Sequence, residues 1–255
     1  MSVFMAELTW REYEARIRQG AVVLLPVGAT EQHGPHLPLT VDCLLPTEIC
    51  RRVAVETGAI VAPTVNYGYK SQPKMGGGNH FIGTTSLSAG ALCGVLRDVI
   101  GELARHGVRK LAVVNGHYEN HMFTIEGIDL AMTDQRMLGV NDLKILRLEY
   151  WDFTSQETIA KIFPEGFPGF ALEHAAVIET SLMLHAFPDL VRRDRIPDDP
   201  PANFPPYDVY PTRREWVPPS GVLSPAHGAS ADKGKALMDN FVRDIAAALR
   251  SEFAI

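Results

Sequence analysis

The sequence predicts a three-layer αβα sandwich around a mainly parallel central sheet. Three observations predict it. Short valine- and leucine-rich runs alternate with longer amphipathic ones as far as residue 153. Strands separated by helices need crossover connections, which make neighbouring strands parallel and cover both faces of the sheet. With 255 residues and 46% hydrophobic content, the chain can bury the core such a sandwich requires.

The elements follow in order. "AVVLLPVGA" (21–29) reads as a buried strand ended by glycine. "LLPTEICRRVAVET" (44–57) has apolar residues at helical spacing and stops at Gly58. "AIVAPTVNYG" (59–68) is a second strand and "SAGALCGVLRDVIGELARHG" (88–107) a second helix. "KLAVVNG" (110–116) is a third strand, followed by a helix over 120–138 and a fourth strand, "KILRLEYWDF" (144–153). A further helix is predicted from Leu172 to His185. Residues 197–225 hold nine of the 18 prolines, which excludes regular helix or central strand there. Phe204, Tyr207 and Tyr210 make this arm look like an extended segment docked on a surface. An amphipathic helix closes the chain. With no internal repeat, one domain over 1–255 is expected.

Charge and composition exclude several functions. The net charge of −6 and the lack of a basic stripe argue against nucleic-acid binding. No apolar stretch approaches the roughly 18 residues of a membrane span. Three cysteines form no C-x-x-C motif, and the N-terminus reads as no secretory signal, so a reducing cytoplasm is expected. Cys43, beside Asp42, reads as a small buried apolar residue.

In parallel α/β sheets, ligands bind beyond the carboxyl ends of the strands. The loops there are "TEQHGPHLPLTVD", "NYGYKSQPKMGGGNH", "NGHYENH" and "YWDF". Two short units stand out, Glu31-x-His33 and His117-x-Glu119. In extended chain, residues i and i+2 point the same way, so each unit can present a nitrogen and an oxygen to one centre. With Asp42, five N/O ligands become available. That mixture suits zinc or manganese, and the absence of cysteine ligands argues against a closed structural zinc site. Five ligands fit two metals sharing a carboxylate, which can ionise a water and polarise a carbonyl.

Glu173 and His174 lie at the start of the predicted helix from 172. The dipole there disfavours imidazolium, leaving a neutral ring able to shuttle a proton, with Glu173 orienting it, touching a metal or capping the helix. His36 reads as a residue behind the ligands or beside a substrate. His80, His106, His121, His185 and His227 read as packing or surface residues. "MGGGNH" (75–80) lacks the ending of a phosphate-binding loop, and its glycines suit close approach of backbone to a small ligand.

The segments "TEQHGPHLPLTVD", "YGYKSQPKMGGGNHFIGTTSL", "ARHGVRKLAVVNGHYENHMF", "YWDF", "FPEGF" and "EHAAVIETSLML" together resemble the creatininase (creatinine amidohydrolase) family, over nearly the whole chain. The resemblance implies two divalent metal ions per subunit, zinc or manganese. One would be held by Glu31, Asp42 and His117, and the other by His33, Asp42 and Glu119. It implies His174 as the proton shuttle with Glu173 beside it, and Tyr118 and Trp151 lining the pocket. It further implies a homohexamer built as a trimer of dimers. Met75, Phe170 and Ala171 stand where the family pattern is more polar, including an acid able to pair with guanidine-like nitrogens. The expected function is therefore a metal-dependent hydrolase opening a small cyclic substrate. Creatinine, opened to creatine, leads. The alternatives are an oxidised inositol or another lactam opened by the same site, or a non-catalytic metal-binding protein.

Overall fold

Four apolar segments, each alternating its side chains between two faces, build the sheet. The computed structural model describes residues 2–255. Helix α1 (Trp10–Arg18) opens on a reciprocal capping box between Thr9 and Glu12. The chain then forms β1 (Val23–Val27), α2 (Val41–Thr57) and β2 (Ile60–Val61). A short α3 (Pro73–Gly76), broken at Lys74 and Met75 where the backbone is not helical, precedes α4 (Ala89–Arg105), β3 (Lys110–Asn115), α5 (His121–Met137) and β4 (Lys144–Glu149). Helices α6 (Gln156–Ile162), α7 (Val177–Ala186) and α8 (Ala231–Phe253) complete the order.

The strands lie in the order β2-β1-β3-β4, and every pair is parallel. Leu24, Ala112, Val114 and Leu148 pack into a core with α2, α7 and α8. Val23, Leu25, Leu111 and Val113 pack into the opposite core, with α1, α4 and α5. The sheet is thus covered on both faces, as the alternating pattern predicts.

Four element boundaries differ from expectation. The second strand pairs only over Ile60–Val61, with an isolated bridge at Val65. Pro26 offers no N–H on that side of β1, where its carbonyl accepts from Val65 N, and Pro63 interrupts the other chain. Helix α2 starts at Val41 rather than 44, so Asp42 sits in its first turn instead of on the preceding loop. Helix α7 starts at Val177, leaving Glu173 and His174 on the loop before it. The 3-10 turn Tyr150–Phe153 also ends the fourth strand early.

The proline-rich arm docks, though by other residues than its tyrosines. Val217, Val222 and Leu223 are buried, whereas Tyr207 and Tyr210 are 60% and 77% exposed. Leu223 N donates to the His174 carbonyl at 3.2 Å, which ties the arm to the loop before α7.

Helices α7 and α8 meet where Gly234 faces Ser181. A Cβ at Gly234 would lie 1.9 Å from the Ser181 carbonyl oxygen, so only glycine permits this approach. Gly234→Ala is expected to destabilise the fold by about 3 kcal/mol, the upper part of the usual overpacking range. A lowered urea midpoint at unchanged slope would show it; an unchanged midpoint would contradict the packing argument.

Candidate metal centre

Every chemical group of the site arrives from the carboxyl edge of the sheet. The loop after β1 carries Glu31 and His33, and the loop after β3 carries His117 and Glu119. Asp42 enters on the first turn of α2, and Glu179 on the first turn of α7. Pro46 lacks the N–H that would bond the Asp42 carbonyl inside α2. That carbonyl faces Gly28 and Gly116, where a Cβ would come within 2.3 Å and 2.5 Å of it. The two glycines past β1 and β3 therefore let the start of α2 settle between the two strand ends.

Hydrogen bonds fix which nitrogen of each imidazole faces inward. His117 Nε2 donates to the Tyr69 carbonyl at 3.0 Å, which leaves the Nδ1 lone pair toward Asp42 Oδ2 at 3.0 Å and Glu31 Oε1 at 3.3 Å. His33 Nδ1 donates to the Glu31 carbonyl at 3.2 Å. Its Nε2 then faces Asp42 Oδ1 at 3.1 Å and Glu179 Oε2 at 3.6 Å. A lone pair aimed at carboxylate oxygens is tolerated only with a proton or a metal cation between them.

The site's charge makes the same demand. Glu31, His33, Asp42 and His117 are each no more than 2% exposed. Burial pulls both imidazoles toward neutrality, yet the neighbouring carboxylates hold them well above their ordinary value. Asp42 and Glu179 do this for His33, and Glu31 and Glu119 for His117. Glu31 Oε2, His33 Nε2, Asp42 Oδ2 and Glu119 Oε2 are buried without a hydrogen-bond partner. Such atoms are costly unless something positive joins them. The donor set fits divalent cations.

Two groups share Asp42: Glu31, Asp42 and His117, and His33, Asp42 and Glu179. In each, the ligand atoms lie within 4.8 Å of one another. Four of the five expected ligands thus come together, Glu179 joins them in the second group, and Glu119 stands in neither. Glu119 Oε1 accepts from Gln72 N at 2.6 Å, while its Oε2 lies 3.5 Å from His117 Nε2, the nitrogen turned away from Asp42. Burial pushes its carboxyl up to about 8. A third trio, Glu31, His33 and His174, is equally close.

His174 is 6% exposed, and burial, followed by the nearby His33 ring, pulls its pKa down to about 4. Neutrality therefore comes from desolvation, not from a helix that starts three residues later. Glu173 does not orient this ring. Its Oε2 accepts from Ile178 N at 2.8 Å, its Oε1 is unpartnered, and burial raises it to about 8. Gln32 touches His174 instead, with both its carbonyl and its side-chain nitrogen 2.9 Å from Nε2. His36 is buried behind the ligands, its Nε2 2.9 Å from Thr180 Oγ1.

Above the ligands lies a pocket of about 480 Å³ including its open mouth, lined by Met75, Tyr118, Trp151, Phe170, Glu173 and His174 among others. The Tyr118 and Trp151 rings are nearly parallel, at 11° and 6.1 Å between centroids. Ala171 is exposed and does not line the pocket. In the flap, the stretch 71–79 around α3, Gly76 comes close to protein rather than to a ligand: a Cβ there would meet Ser71 Oγ at 2.5 Å and Glu119 Oε1 at 2.7 Å.

A family model described as "Creatininase: Creatinine amidohydrolase" matches residues 6–249. The chain is 55% identical to the creatinine amidohydrolase of Pseudomonas putida over 254 residues, covering 99% of this chain and 98% of that protein. Two solved structures resemble it equally closely in shape. One is a manganese creatininase and the other a creatininase variant in a zinc–zinc form. Each is 54% identical, covers 99% of both chains and superposes with a TM-score of 0.98.

Proposed function

The chain belongs to the creatininase family, and from that membership we propose that it hydrolyses creatinine to creatine at a pair of divalent metal ions. The observation that carries this reading is the shared Asp42. One carboxylate, two inward-facing imidazoles and two further carboxylates form adjacent donor groups under an aromatic pocket. Glu31, Asp42 and His117 would hold one ion, and His33, Asp42 and Glu179 the other. Zinc and manganese are the ions named for the similar creatininase structures, and both suit N/O donors.

When bound, the ions supply a water of lowered pKa and a Lewis acid for the substrate carbonyl. The chain supplies the rest. Tyr118 and Trp151 present flat faces suited to a planar five-membered ring, and Met75 and Phe170 exclude water from its flanks. His174, neutral and facing Glu31 through Nδ1 at 3.5 Å, takes the proton from the attacking water. Water oxygen bonds to the lactam carbon and the ring carbon–nitrogen bond breaks. The same proton passes to the departing nitrogen, and the remaining water proton, lost from the new carboxyl, is taken up by the guanidine, giving the open-chain zwitterion. Glu119 and Glu173 line the pocket with unpartnered oxygens and complete its polar surface.

Chelation is expected to abolish creatinine hydrolysis, and added zinc or manganese to restore it, followed as creatine released. Activity indifferent to chelator would remove the mechanism. No creatine from metal-replete protein, with turnover of another lactam or an oxidised inositol, would remove the substrate.

The same proposal takes residues 1–255 as one hydrolase domain working in the cytoplasm as a homohexamer. Three free, buried cysteines suit a reducing compartment, and exposed Tyr207 and Tyr210 on the arm suit subunit contacts. Among the described residues no helix is long and apolar enough to cross a membrane.

A further inference from the structure

Gln32 stands between two ligands and makes more polar contacts than either. Its Oε1 accepts from Gly34 N at 2.8 Å, which fixes the orientation of the side-chain amide. The Nε2 then faces the Gly221 carbonyl at 3.0 Å, on the proline-rich arm, and the Gly76 carbonyl at 3.3 Å, on the flap. An amide nitrogen has two hydrogens, and these two carbonyls take both.

No amide hydrogen is left for His174, although its Nε2 lies 2.9 Å from that nitrogen. The other neighbour of His174 Nε2 is the Gln32 main-chain carbonyl, also at 2.9 Å, which can only accept. His174 Nε2 must therefore carry the hydrogen. Its Nδ1 keeps the lone pair, on the side of Glu31 Oε1.

We propose that Gln32 is a positioning residue for His174, its main-chain carbonyl fixing the Nε2–H tautomer while its side-chain amide ties flap and arm over the ring. The tie is local and buried: Gln32 is 6% exposed, and the arm also meets the His174 carbonyl through Leu223 N. Docking of the arm and flap thus keeps the amide hydrogens occupied and the ring in one orientation. This deepens the proposed function and rests on it for the role of His174, but the tautomer is readable without any substrate.

The experiment uses the zinc-loaded full chain with nitrogen-15 histidine, the His174 signals being assigned by their loss in His174→Gln. The expected wild-type spectrum shows a bonded proton at Nε2, slow to exchange with water, and none at Nδ1. A proton at Nδ1 would overturn the proposal. Gln32→Leu removes the amide, and is expected to speed exchange of the Nε2 proton and to lower kcat on creatinine by about 100-fold, as a small misplacement of a reacting group does. KM should stay within threefold, and both metal ions should remain. Gln32→Glu, equal in size but unable to donate, is expected to give the same split and serves if the leucine variant does not fold. A raised KM with kcat and exchange unchanged would mean that Gln32 only closes the pocket, and loss of metal that it supports the ions; either overturns the assignment. Failure of the wild type to open creatinine would refute the function while the spectrum still decides this point.

Discussion

Asp42→Ala is expected to empty both metal positions and to lower creatinine turnover by about 1000-fold or more. Asp42 is the one residue common to the two ligand groups, with one oxygen 3.1 Å from His33 Nε2 and the other 3.0 Å from His117 Nδ1. Metal assistance contributes several kcal/mol to a reaction of this class, and each 1.36 kcal/mol is tenfold in rate. The position also cannot adapt. Its main chain is wedged between Gly28 and Gly116. Asp42→Asn, which keeps the volume, separates loss of charge from loss of packing and is expected to lose metal as well. The check is metal per chain beside creatine formed. Two ions retained with activity within tenfold of the parent would show that the bridge is elsewhere.

His174→Ala is expected to give the complementary result, a fall of about 100- to 10,000-fold in kcat with metal content unchanged. That is the range general acid–base groups contribute. His174 lies among the ligands, since its Nδ1 is 3.5 Å from Glu31 Oε1 and its ring centroid 4.4 Å from that of His33. Closeness to Glu31 and His33 makes it one more donor in principle. Metal content is therefore the decisive second measurement. Loss of an ion from the alanine variant would make His174 a ligand and require another proton carrier.

Strands and the donor residues that follow them were legible in the sequence because they obey short-range rules. Valine-rich runs announce buried strands, and i, i+2 spacing announces paired donors, as at Glu31-x-His33. Glu179 was not legible in the same way. It lies inside "VIETSLML", where one acid among apolar residues reads as a helix-face charge, although an acid in the first turn of an otherwise buried helix is a usable signal. Glu119 is two residues from His117, but the chain after β3 turns at once into the 3-10 turn Tyr118–Asn120, so the extended-chain rule fails there. Gln32 carries no charge and no motif. Its role appears only when residues 76, 174 and 221, distant in sequence, meet around one amide. Tertiary proximity of that kind leaves no local pattern to read.

The site divides its labour between two kinds of backbone. Ligands stand on strand ends and first helical turns, and the Asp42 carbonyl leaves no free space against two glycines. The pocket walls stand on irregular chain: Met75 sits at a φ of 80° beside three glycines, and Phe170 on a lone 3-10 turn. For anyone engineering this enzyme, that division marks where to diversify. A library confined to residues 75, 118, 151 and 170 would vary the shape offered to a ring while leaving the ion-holding frame intact, so that inactive clones would report on fit rather than on collapse.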